Sequence, residues 1–141
     1  MESPRSTRAV RRPGPVWVIV ILCLLAAGAQ LLNQLTAPRP TSPELRAYVD
    51  SWTILDKWIP YVLDGLLILA AASLFALQAR AVGLFAAYAA VAAVASVQHA
   101  LTTRWLDVFG WAGIAAVGVG LALSLLVLLY VIRLRSRGVL T

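Results

Sequence analysis

Sulfur and imidazole are almost absent from this chain: its 141 residues include one cysteine, Cys23, one methionine and one histidine, His99. A lone cysteine forms no disulfide within the chain and cannot support paired-thiol redox chemistry. A lone histidine leaves no bis-histidine haem site and no histidine-rich metal site in a single copy. No metal is therefore expected unless two copies share one. Charge is scarce as well, at 13% of residues with only six acids, against about 25% charged in an ordinary soluble domain. Glycine and proline, at 9 and 7 residues, are too few for a collagen-like or low-complexity chain. No strand pattern is visible, so no glycine-rich phosphate loop follows one. The expected catalytic set is empty.

What the chain does have is apolar surface, at 61% of residues and a mean hydropathy of +0.84. A soluble chain this short would leave much of it in water. A bilayer core of about 30 Å needs roughly 20 apolar residues in a helix, and four segments qualify: residues 16–35, 58–78, 81–101 and 109–132. The expectation is an all-α integral membrane protein, a single four-span domain over residues 1–141 with tails 1–15 and 133–141. Arg5, Arg8, Arg11, Arg12, Arg80, Arg133, Arg135 and Arg137 fall on one side, eight of the twelve basic residues. On the other side Arg39, Arg46, Lys57 and Arg104 are nearly balanced by Glu44, Asp50, Asp56 and Asp107. The positive-inside rule then puts both termini in the cytoplasm. The net charge of +6 is thus a topology signal, and nucleic acid is not an expected partner. Ala27-Gly28-Ala29 before Gln30 resembles a signal-peptide cleavage site, but the apolar run continues to Leu35, long enough to span, and we expect an anchor.

The one substantial loop, 36–57, holds a second pattern. Ser42-Pro43-Glu44 reads as an N-cap, a proline at the first helical position and an acid in the first turn. Leu45, Tyr48, Val49 and Trp52 follow on one face. A short amphipathic helix over 43–52 is expected, either on the outer membrane surface or as a lid on the span ends. Trp52, Trp58, Tyr61, Trp105 and Trp111 read as an aromatic belt.

Polar side chains are unevenly spread with depth. Gln30, Asn33 and Gln34 of the first span, Asp64 of the second, and Gln98 and His99 of the third fall in the outer third. Asp64 is the only acid inside a predicted span and needs a partner there: His99, Arg104 or the first-span amides. One reading is an outward-opening, ligand-binding pocket with Asp64 and His99 as its pair and Arg104 at its rim. The other makes Asp64 a structural brace. Span three is mostly alanine and is expected at the bundle centre. Ala112, Ala116, Gly120 and Ser124 recur every four residues on span four as a helix-packing stripe, inside the bundle or towards a second copy. Cys23, inside an apolar helix, is expected to behave as a small hydrophobe.

Ala26-Ala27-Gly28-Ala29-Gln30 at the end of the first span, the amphipathic segment 43–52, the lone basic residue in Gln78-Ala79-Arg80 and the histidine of Gln98-His99-Ala100 together resemble the DoxX-like group of small four-helix bacterial membrane proteins, over most of residues 16–132. The resemblance implies an accessory membrane subunit linked to quinone-dependent oxidation or thiol redox balance, not a complete enzyme. The leading expectation is a non-catalytic accessory or scaffold subunit of the bacterial cytoplasmic membrane, with no bound cofactor predicted although quinone or lipid would fit. Its partners would be the bilayer and other membrane subunits or a second copy. The alternatives are a small-solute or proton transporter, or a lipid- or quinone-binding membrane enzyme, using the Asp64/His99 pocket.

Overall fold

The computed structural model describes residues 13–36 and 40–140 and contains five helices: α1 (Gly14–Thr36), α2 (Pro43–Asp50), α3 (Ile54–Phe75), α4 (Arg80–Thr102) and α5 (Trp105–Ser136). No strand occurs among the described residues. Helices α1, α3, α4 and α5 are each long and apolar enough to cross a membrane. The protein is a multi-pass, all-α membrane bundle, with the expected spans lying almost wholly within these four helices.

The boundaries differ for local reasons. Helix α3 begins at Ile54, ahead of the expected start at 58, because Thr53 and Asp56 form a capping box: the Thr53 hydroxyl accepts from the Asp56 N–H while the Asp56 carboxylate accepts from the Thr53 N–H. It ends at Phe75 rather than 78 because Leu77 adopts a positive φ of 55°. Gln78 N–H donates to the Ser73 carbonyl at 2.9 Å, and Leu77 N–H to the Leu74 carbonyl at 2.9 Å, the pattern of a Schellman stop. A leucine in this left-handed conformation is strained, and its side chain is buried in the core. Helix α5 continues to Ser136, so part of the expected tail 133–141 is helical. It closes on Gly138, at φ 69°.

Helix α1 packs on α3, α3 on α4, and α4 on α5, so the spans form a row with α3 and α4 in the middle. The alanine-rich α4 therefore shares the central position with α3, and Ala86, Ala87 and Ala90 remain exposed. The packed core lies at the end of the bundle marked by the α3–α4 turn, here the hairpin end. Val16 and Val20 of α1, Leu74 of α3, Phe85 of α4 and Val131 and Leu134 of α5 meet there. Cys23 is buried in the same cluster.

At the opposite end α5 is interrupted. Gly110 takes φ 50° and ψ −143°, which breaks the helix between the turn at 105–109 and the long segment after it. Gly113 lets that turn fold close: a Cβ on it would stand 2.7 Å from Phe109 Cβ and 2.8 Å from Trp105 Cζ2. Helix α2 closes over this end. Ser42 caps it by accepting from the Leu45 N–H at 3.2 Å, with Pro43 in the first turn, as its sequence predicts. Of its apolar face, Tyr48 is buried and packs edge-on against Phe109 at 5.6 Å. The helix is a lid on the span ends rather than a free surface helix.

Candidate functional site

Between α3, α4 and α5 lies a partly open cavity of about 570 Å³, lined by no residue of α2. Its walls are apolar: Ile59, Pro60 and Leu63 from α3, Ala92, Ala93 and Val97 from α4, and Leu106, Ile114, Val117 and Leu121 from α5. Alanines on α4 lower one wall, and the break at Gly110 separates the start of α5 from its long segment. Pro60 gives up the helical hydrogen bond to the carbonyl of Asp56, placing a softened stretch of α3 beside the cavity.

Polar groups gather at the lid end of this space. His99, near the end of α4, lines the cavity together with Asp56. Its Nδ1 lies 2.8 Å from Asp56 Oδ1 and its Nε2 lies 2.7 Å from the Tyr48 hydroxyl. The Asp56 side chain is only 2% exposed. Its Oδ2 accepts from the Thr53 N–H and hydroxyl, at 2.8 Å and 2.5 Å, so the capping box that starts α3 also fixes the acid that holds His99. A carboxylate only accepts, so the hydrogen of the neutral ring sits on Nδ1 and Nε2 takes the Tyr48 proton. Three elements are thus tied in one chain: Asp56 of α3, His99 of α4 and Tyr48 of α2. Burial pushes the Tyr48 hydroxyl above its ordinary pKa, which keeps it a neutral donor. The rings of Tyr48 and Trp52 flank His99 edge-on at 5.7 Å and 6.2 Å.

The sequence left His99, Arg104 and the first-span amides open as partners of Asp64, and the structure pairs His99 with Asp56. Asp64, 3% exposed, accepts instead from Gln34 Nε2 of α1 at 3.2 Å, so the first-span amide is its partner. Arg104 takes no place at the cavity rim. It lies 3.6 Å from Asp107, and both side chains are about 70% exposed. Gln30 and Asn33 are exposed. Gln98 does not line the His99 cavity and borders a neighbouring hollow with Val94 and Val97. In α5, Ala112, Ala116 and Gly120 are exposed, and a Cβ on Gly120 would meet nothing within 4 Å. The stripe therefore faces out of the chain, not into its bundle, and the half-buried Ser124 bonds back to the Gly120 carbonyl. Of the aromatic belt, Trp58, Tyr61 and Trp111 are exposed, while Trp105 turns into the cavity.

Asp56 and Tyr48 were not singled out by sequence as site residues. A signal for Asp56 is present: Thr53-x-x-Asp56 is a capping-box pattern ahead of an apolar run, which moves the acid from the loop into the first turn of a span. No family model matches the chain, and no similar curated protein or solved structure was found.

Proposed function

We propose that this chain is a non-catalytic subunit of the bacterial cytoplasmic membrane that holds a lipid-soluble molecule between α3, α4 and α5. The observation that carries this reading is the apolar cavity of about 570 Å³ ending on His99, within the size range of small-molecule sites. Both termini face the cytoplasm in this reading, supported by the eight of twelve basic residues that fall on the side of Arg80 and the tails. The DoxX-like resemblance supports an accessory place in a larger membrane complex, quinone-linked or redox, with other subunits or a second copy as partner. The stripe on α5 that faces out of the chain is compatible with such a contact.

A second reading, a membrane enzyme acting on the bound molecule, draws on the Asp56–His99–Tyr48 chain, which is able to pass a proton. A carrier has less support, since conduction needs polar groups through the whole depth and the hairpin end is filled by the apolar core.

The test is purification into lipid nanodiscs followed by mass spectrometry of extracted lipids and co-purifying proteins. The wild type should carry an enriched lipid-soluble molecule, and Val117→Trp, which fills the cavity, should lose it while staying folded. Identical lipid profiles for both would overturn the cavity reading. Recovery of the chain alone, with no stoichiometric membrane partner and no second copy, would overturn the accessory role.

A further inference from the structure

Resting on the cavity reading, we propose that the occupant is a neutral lipid with a single hydroxyl head, of the alkylphenol or long-chain alcohol kind, whose hydroxyl takes the place of Tyr48 on His99 Nε2. Both ring nitrogens of His99 are engaged, at 2.8 Å with Asp56 and 2.7 Å with Tyr48. The Asp56 side is locked, because that carboxylate also holds the start of α3 through Thr53. The Tyr48 side is the exchangeable one: its polar link to His99 is a single neutral hydrogen bond from a short helix outside the spans, while its ring packs on Phe109 and Trp52.

What His99 offers at Nε2 is an acceptor, and the chain's own occupant of it is a hydroxyl on an apolar ring. A second group completes the match. The indole N–H of Trp52 is buried without a hydrogen bond of good geometry; its nearest partner is the same Tyr48 hydroxyl, and its ring lies 6.2 Å from that of His99. One acceptor and one poorly satisfied donor, both turned to the Tyr48 hydroxyl, suit one hydroxyl, which donates to Nε2 and accepts from the indole. Anionic heads are disfavoured. Among the described residues no Lys or Arg lines the cavity and Asp56 is its only carboxylate, and Arg104 is engaged with Asp107 outside it. A phosphate or fatty-acid carboxylate would meet a buried negative charge without a counter-charge. The exchange also frees Tyr48, so an occupied cavity loosens α2 from α4.

The experiment measures binding of 4-nonylphenol and of nonylbenzene, its analogue without the hydroxyl, to the full chain in nanodiscs, read by tryptophan fluorescence and calorimetry. Wild-type protein should bind the phenol about fivefold tighter than nonylbenzene, the worth of one net hydrogen bond. Tyr48→Phe removes the internal competitor, so it should tighten the phenol by a further several-fold and leave nonylbenzene unchanged. Trp52→Phe should weaken the phenol alone. Equal binding of the two probes to wild type and to Tyr48→Phe overturns the hydroxyl proposal and leaves the cavity standing. Weaker phenol binding in Tyr48→Phe overturns the exchange. Failure of both probes to bind folded protein overturns the cavity reading itself.

Discussion

Replacing Asp56 with alanine deletes the acceptor of three hydrogen bonds, two from Thr53 and one from His99. The cap of α3 goes with it, at about 1 kcal/mol for a lost N-terminal cap. His99 Nδ1–H also loses its partner, and an unsatisfied buried donor costs about 1–3 kcal/mol. The His99 side chain is 25% exposed, so water recovers part of that and the lower end applies. The sum is about 2 kcal/mol. Asp56→Asn keeps one carbonyl oxygen for His99 but turns an NH₂ towards the Thr53 N–H, so it should lose only the cap, about 1 kcal/mol. Reversible unfolding in mixed micelles with increasing dodecyl sulfate measures both, and a double cycle with His99→Phe isolates the pair. Asp56→Ala as stable as wild type, or Asp56→Asn as harmful as Asp56→Ala, would refute the shared role of this carboxylate.

Gly113→Ala places a methyl within 2.8 Å of Trp105 and Phe109 atoms, so it should cost about 1–3 kcal/mol and quicken tryptic cleavage at Arg46 as the Phe109 support of α2 shifts. Gly120→Leu enters open space and should change stability by no more than about 0.5 kcal/mol; a larger loss would show that this face packs against something outside the chain. Tyr48 has a raised pKa through burial, so the fold favours its neutral form. That contribution is complete below the usual value of about 10 and is lost as pH rises through the raised one, so wild type should lose stability faster than Tyr48→Phe in alkaline titration. A reporter active only in the cytoplasm should work when inserted near Arg80 and fail near Pro43; the reverse result would invert the proposed orientation.

Hydropathy and capping signals made the spans and α2 readable in the sequence, because length, apolar content and Ser42-Pro43 act locally. The partner of His99 was not readable in the same way. Depth alone placed Asp64 and His99 in one layer, but a hydrogen bond also depends on how each helix is rotated. Asp56 and Asp64 are eight residues apart on α3, roughly 12 Å along the axis and about 80° around it. Rotation therefore sends Asp56 to α4 and Asp64 to α1. The small-residue stripe of α5 left two alternatives open for a related reason: small side chains permit close approach but do not say from which side a neighbour comes. The φ of 50° at Gly110 could not be told in advance from the other glycines of that span.

Helix α1 packs chiefly on α3, and its Gln34 holds Asp64, which has a consequence for how the protein is made. Spans enter the bilayer in the order of synthesis, so the amide is already in place when the segment carrying the acid arrives. An acid at the centre of a span raises insertion cost by about 2.5–3.5 kcal/mol, less near an end, and a waiting donor offsets part of it. On this arrangement the first span would serve the second as a chaperone within one polypeptide, and a chain lacking it would have to insert Asp64 without the Gln34 amide.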